Sequence, residues 1–246
     1  MTFPRQFLRV EALLGEQGLG ILRNAHVVIV GYGAVGSACT MALVRSGIGH
    51  VRIIDADNYD VTNINRQFGA SHDTVGKSKV LVGQAQLREL VPDLDLEVVH
   101  KFINADAMDD VFAPFSDGVS PIAVVDAIDT IHAKTALLSA CIQHSIPVYS
   151  SMGAARKTQL DKIRFDDISK TSVCPLAREI RRRLRANGID HGIRCVFSIE
   201  DAAKMPPATQ ANEKPILGSI ITVTASFGLR LASELMRDIL ASHKGQ

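Results

Sequence analysis

A short apolar strand that runs straight into a glycine-rich turn constrains this chain more than any other feature. His26–Val30 (HVVIV) is nearly all apolar, as a parallel strand buried on both faces requires. Gly31-Tyr32-Gly33-Ala34-Val35-Gly36 follows at once and matches G-x-G-x-x-G. Ser37–Arg45 then reads as a helix stopped by Gly47 and Gly49. Glycines at these positions let the backbone approach a phosphate, and the N-terminus of the following helix attracts negative charge. The alternative is that three glycines merely turn a tight corner. A strand before the turn and a helix after it count against that.

The same alternation repeats downstream. Strands are expected at His50–Asp55, Leu94–His100, Ile122–Ala127 and Ile146–Ser150. Helices are expected between them at Val75–Val91, Ala105–Phe112 and Ile131–His144. Strands alternating with helices imply an α/β fold, a doubly wound and mostly parallel sheet of Rossmann-like type. After Ser151 the regularity fades. Lys162–Phe165 and Ile193–Ser198 have strand character, Pro175–Ala186 is a helix with Pro at its first position, and Gly218–Leu240 is a long C-terminal helix. Glu200–Pro215 is polar and contains prolines, so a mobile loop is expected there. The whole chain, 1–246, is read as one domain. It has an N-terminal arm (1–25), a nucleotide-binding half (26–151) and a substrate-side half (152–246) with a C-terminal extension.

The glycine turn alone does not choose its nucleotide. Asp55 ends the second strand 19 residues after Gly36, where a carboxylate grips ribose hydroxyls. That would suit a nicotinamide dinucleotide. The next stretch argues otherwise: Asp57, then Asn63-Ile64-Asn65-Arg66-Gln67, then Gly76-Lys77-Ser78-Lys79. A dehydrogenase gains nothing from Arg66 and Lys79 just beyond the ribose carboxylate. A nucleoside triphosphate does, because its extra phosphates need cations and arginine supplies a bidentate fork. Asp126 and Asp129 close the fourth strand on the same carboxyl edge, where a carboxylate can hold Mg²⁺. Simpler readings exist for each residue taken singly. Arg66 could be a surface arginine, and Asp129 could cap the helix that starts near Ile131.

D-x-D, then N-x-x-R-Q, then a downstream G-x-x-K resembles the ubiquitin-activating and ThiF/HesA/MoeB adenylyltransferase superfamily over roughly Gly31–Ser151. The resemblance implies a ubiquitin-activating-enzyme-like fold and ATP with Mg²⁺. Asp55 would hold the ribose. Gly31, Gly33, Gly36, Asp57 and Gln67 would line the nucleotide site, with Asn63, Arg66 and Lys79 on the phosphates and Asp129 on the metal. Arg9 would reach the phosphates of a partner subunit, so a homodimer is implied. Ser150-Ser151-Met152-Gly153-Ala154-Ala155, Asp167-Ile168-Ser169-Lys170-Thr171, Pro175-Leu176-Ala177, Val196-Phe197-Ser198 and Lys204-Met205-Pro206-Pro207 resemble one branch, the tRNA threonylcarbamoyladenosine dehydratases. That branch implies activation of a threonyl carboxylate on tRNA and intramolecular ring closure. The wider superfamily leaves a second reading, activation of the C-terminus of a ubiquitin-like sulfur carrier, and with it a possible sulfur-transfer partner.

Composition supports the narrower reading. The formal net charge is +1, so an RNA-binding surface has to be local. Arg178, Arg181, Arg182 and Arg185 fall at i, i+3, i+4 and i+7 of the Pro175–Ala186 helix, one face of it, opposite Leu176, Ile180 and Leu184. This face is either an RNA contact, extended by Arg156, Lys157 and Lys162, or a solvated charged face. Four cysteines with no C-x-x-C pair give no support for a structural zinc ribbon. Cys174 stands just before Pro175, either as a functional thiol or as an ordinary free cysteine; Cys39, Cys141 and Cys195 lie in apolar runs. The eight histidines show no metal spacing and are expected to be structural. The longest uncharged run near the C-terminus, Pro215–Leu229, is shorter than the roughly 20 residues of a membrane span and is rich in Gly, Ser and Thr. With no leader-like start, the chain is read as cytoplasmic.

Overall fold

The computed structural model describes residues 3–104, 107–203 and 217–243. Seven strands form one sheet in the order β3-β2-β1-β4-β5-β7-β6. They are β1 (His26–Val30), β2 (His50–Ile54), β3 (Asp95–Val99), β4 (Ala123–Asp126), β5 (Val148–Ser151), β6 (Ile163–Asp167) and β7 (Arg194–Ser198). All neighbours pair in parallel except β6, which runs antiparallel to β7. The doubly wound expectation therefore holds, and the sequence's two halves share one sheet.

The central strand shows why. All five residues of β1 are buried. Their side chains alternate between two cores, Val27 and Ile29 on one face, Val28 and Val30 on the other. The first core is covered by α1 (Leu8–Arg23), α2 (Ala34–Arg45), α3 (Lys79–Leu90) and α7 (Ile221–Ser242). In α7, Val223, Phe227, Leu231 and Leu235 recur every fourth residue and are wholly buried. The second core is covered by α4 (Asp109–Phe112), α5 (Ile131–Gln143) and α6 (Pro175–Ala186). Gly228 lets α7 lie directly on α2: a Cβ there would fall 2.4 Å from the Val35 carbonyl oxygen.

Some boundaries differ from expectation. The N-terminal arm contains α1, kinked at Gly15 (φ 76°, ψ 165°). Helix α2 begins at Ala34, inside the glycine motif. Helix α3 begins at Lys79 rather than Val75, because Tyr59 pairs with Val75 and Asn58 with Ser78. Of the expected 105–112 helix only Asp109–Phe112 is helical among the described residues, and 105–106 lie outside them. Most of the expected 200–215 loop, with the Lys204–Pro207 motif, also lies outside the described residues. None of the described helices is long and apolar enough to cross a membrane.

The sheet's edges are polar. On β3, Asp95 and Glu97 are taken by β2: His50 Nδ1 lies 2.9 Å from Asp95, and Arg52 Nε donates to Glu97 at 2.6 Å. The buried Arg52 also donates to the carbonyls of Ala113 (2.7 Å) and Pro114 (2.9 Å) and lies over Phe115. On β6, Arg164 donates to the carbonyls of Asp161 (2.7 Å) and Ile163 (2.9 Å). The rings of His26 and His50 stack at 3.8 Å, with His26 Nε2 on Asp117 at 2.8 Å. With the rings face to face, one ion cannot lie in both ring planes, so this group is a hydrogen-bonded clamp rather than a metal centre.

Asp126 corrects an expectation. Its carboxylate is fully buried and is not offered to a metal. Lys134 of α5 donates to it at 2.5 Å, Ser150 at 2.6 Å and the Ile128 N–H at 3.1 Å. This network joins β4, α5 and β5. Removing one member leaves a buried charge unpaired, so Lys134→Ala should destabilise the fold by about 3–5 kcal/mol. Replacing the pair together by apolar residues, Asp126→Leu with Lys134→Met, should cost less than the single change. Denaturant midpoints of the three proteins check this.

Candidate functional site

The glycine turn is built by close contact. Gly31 has φ +91°, and a Cβ there would fall 2.8 Å from the Ala127 backbone after β4. A Cβ on Gly36 would fall 1.8 Å from the Gly31 carbonyl oxygen. Gly33 is the N-cap of α2, with no side-chain cap, and is open: only Gln67 Nε2 comes near, 3.9 Å from where its Cβ would be. The start of α2 thus carries no side-chain cap, and beside Gly33 there is open space among the described residues.

Asp55 borders this space. Its carboxylate accepts the Tyr32 N–H at 2.6 Å and the Asp57 N–H at 2.7 Å. Burial pushes its pKa above the ordinary aspartate value, opposed by Lys79 and by the two N–H donors. Lys79, at the first position of α3, donates its Nζ to Asp57 at 2.7 Å. The lysine is buried while the Asp57 side chain is 68% exposed.

The Asn63–Gln67 segment follows a short 3-10 turn. Asp60 and Asn63 cap that turn reciprocally, so the Asn63 amide oxygen is occupied by the Asp60 N–H at 3.1 Å. Arg66 Nη1 donates to the Thr62 carbonyl and to Asn65 Oδ1, both at 2.8 Å. Gln67 is buried, and its Oε1 has no hydrogen-bond partner among the described residues; the same holds for Tyr59 Oη and Ser78 Oγ nearby in the chain. Burial raises the Tyr59 phenol to about 12. Orphaned buried oxygens beside an open, cation-flanked turn are what a donor-bearing ligand would satisfy.

Asp129 is exposed just past Ala127, which touches Gly31. It does not cap α5: Thr130 is the N-cap, and among the described residues the Asp129 carboxylate receives the Thr130 hydroxyl alone, at 3.4 Å. The donor chemistry fits a hard cation. Arg9 lies exposed on α1, which packs on α7, and no described bond links it to the turn.

The arginine face of α6 needs correction. Arg182 and Arg183 both pair with Glu179 at 2.7 Å, an acid the four-arginine pattern overlooked. Those two contacts hold the Glu179 carboxyl near a pKa of about 2. Arg181 turns inward to the Thr171 carbonyl and hydroxyl. Arg178 and Arg185 remain exposed. Lys157 is buried with its Nζ on the Glu200 carbonyl, so it does not extend the patch. Lys170 pairs with Asp166 at 3.4 Å. Cys174 is 2% exposed, the uncapped N-cap of α6 within the second core, where a substrate cannot reach it. Lys134, missed in the sequence, was legible as the one Lys, Arg, Asp or Glu in an otherwise uncharged helix.

A family model described as the ThiF family matches residues 5–245. The tRNA threonylcarbamoyladenosine dehydratase of Bacillus subtilis is 34% identical, over 95% of this chain and 96% of its own length. The crystal structure of E. coli tRNA N6-threonylcarbamoyladenosine dehydratase in complex with ATP superposes with a TM-score of 0.89 at 32% identity, covering 98% of this chain and 96% of that one. The molybdopterin-synthase adenylyltransferase of Salmonella typhimurium is 31% identical over only 56% of this chain and 53% of its own. By the span of these matches the chain belongs to the ThiF family.

Proposed function

We propose that this protein is an ATP-dependent tRNA threonylcarbamoyladenosine dehydratase. The observation that carries this is the near full-length similarity to dehydratases of that name, one of them solved with ATP, in a chain whose glycine turn is bordered by Asp55 and Gln67. The more distant molybdopterin-synthase adenylyltransferase matches only about half the chain.

In this reading the threonyl carboxylate attacks the α-phosphorus of ATP, and pyrophosphate leaves. The carbamoyl nitrogen then attacks the activated carbonyl carbon, and AMP leaves with one carboxylate oxygen. The nitrogen loses its proton, so the nucleoside loses one water overall. No protein nucleophile is needed, which accords with the burial of Cys174. The protein's task is to position the reactants and offset phosphate charge, both large effects. Asp55 accepts the ribose hydroxyls. The Gly33 turn and the start of α2 take phosphate. Arg66 and Lys79 hold the phosphates, with the Asn63 amide nitrogen and the Gln67 amide in support. Lys79 exchanges its exposed partner Asp57 for phosphate. Asp129 would hold Mg²⁺, which supplies charge neutralisation between phosphates. In a homodimer, Arg9 reaches the neighbouring subunit's nucleotide. Arg178 and Arg185 contact the tRNA backbone. The sulfur-transfer partner rests on resemblance alone, and the chemistry needs none. The reading places the enzyme in the cytoplasm with its tRNA.

Incubation with ATP, Mg²⁺ and threonylcarbamoyl-modified tRNA, followed by digestion and mass measurement, should show loss of one water with AMP release. Pyrophosphate exchange that needs a carrier protein instead would overturn the proposal. Arg66→Ala and Asp129→Ala should each lower kcat by about 10²–10³-fold, as loss of one transition-state charge partner does, with thermal unfolding unchanged. Because burial raises the Asp55 pKa, its carboxylate is lost at a higher pH than that of an exposed aspartate. The KM for ATP should therefore climb early on acidification, and Asp55→Asn should remove that dependence. The sign for stability is opposite: ionised Asp55 costs folding energy above its folded pKa, and that cost is relieved below it. Arg178→Ala and Arg185→Ala should each reduce the salt slope of tRNA binding by about 1.

A further inference from the structure

We infer that Asn65 is a positioning residue for Arg66, tying the phosphate-binding arginine to the entry of α7. The inference rests on the reading above, in which Arg66 binds ATP phosphate. Asn65 Oδ1 accepts from Arg66 Nη1 at 2.8 Å, and Asn65 Nδ2 donates to the Ser219 carbonyl at 2.9 Å. The amide's orientation is forced, since a guanidinium cannot accept a hydrogen bond and a carbonyl cannot donate one. Ser219 precedes Ile220, the N-cap of α7. Its neighbour Gly218 is held from the other side, where the Arg156 N–H donates to the Gly218 carbonyl at 2.8 Å. Arg156 sits at φ +59° just beyond β5. Arg156, Gly218–Ser219 and Asn65 therefore form a backbone strap from the substrate-side half of the sheet to the arginine.

The strap determines how Arg66 meets its ligand. Nη1 is pinned by two oxygens, the Thr62 carbonyl and Asn65 Oδ1. Nη2 and Nε have no hydrogen-bond partner among the described residues. A planar fork held along one edge presents its other edge in a fixed plane, the geometry that bidentate phosphate binding needs. Without Asn65, Arg66 keeps its charge but loses one of the two bonds that orient it, and that loss should appear in nucleotide affinity.

The test is a double-mutant cycle on ATP affinity, measured by calorimetry with Mg²⁺ for the full chain. Asn65→Ala should weaken ATP binding about 5- to 50-fold, within the range seen for coupled neighbours. Asn65→Gln keeps the amide but displaces it by one methylene; it should weaken binding in the same direction and guards against a misfolded alanine variant. Thermal unfolding of the folded variants should match that of the parent protein. In an Arg66→Ala background, Asn65→Ala should produce no further loss. Unchanged affinity in both Asn65 variants, or an equal loss with and without Arg66, overturns the inference. No ATP binding by the unsubstituted protein, or full affinity in Arg66→Ala, overturns the nucleotide assignment instead.

Discussion

Gly36 rests so close to the Gly31 carbonyl that one added methyl would fall 1.8 Å from it. That backbone-to-backbone contact brings β1 into α2 with no side chain between them. It lets the end of β4 approach Gly31, and so brings Asp129 to the same sheet edge as Asp55. It also sets the height of α2 under α7, where Gly228 completes a second such contact against Val35. Because neighbouring elements share these seats, a side chain at either glycine would have to displace a strand or a helix rather than a rotamer.

Within that frame, cations rest on acceptors of very different strength. Lys134 is wholly buried against Asp126 and Ser150, and a ligand cannot reach it. Lys79 is also buried, but its partner Asp57 is 68% exposed, so water can replace the lysine at that carboxylate. Arg66 rests on neutral oxygens, and its charge meets no carboxylate among the described residues. Two lysines that look alike in the sequence thus part by the burial of their acceptors, one holding the sheet and the other free to exchange partners.

Much of the fold was legible because its signals are local. β1, β2, β4 and β7 are short apolar runs bounded by turns, and each lies within one or two residues of where its pattern places it. The α1 helix was hidden because three glycines (Gly15, Gly18, Gly20) lower its intrinsic propensity. Burial of Phe7, Leu19 and Leu22 in the first core outweighs that cost. The start of α3 was misplaced because Val75 and Ser78 pair with a loop twenty residues or so earlier, a contact no helical period encodes. At the site, the motif residues identified the right segments, but partners were not legible. Glu179 among the arginines, Lys134 beneath Asp126 and Ser219 beyond Asn65 are set by tertiary approach, the last across 154 residues of chain.

The polar sheet edges bear on how the protein behaves in a crowded solution. An open sheet offers two rows of unpaired amides to any passing strand, and edge-to-edge growth is the route by which such sheets aggregate. Here β3 carries Asp95 and Glu97, while on β6 Arg164 folds back onto the carbonyls of Asp161 and Ile163. A foreign strand meets carboxylates along β3 and, at the start of β6, carbonyls already engaged by Arg164. The described margins are thus marked by charge, and a charge-neutralising change at Arg164 would free the Asp161 and Ile163 carbonyls for a foreign strand, whereas one at Glu97 would also strip the buried Arg52 of its partner.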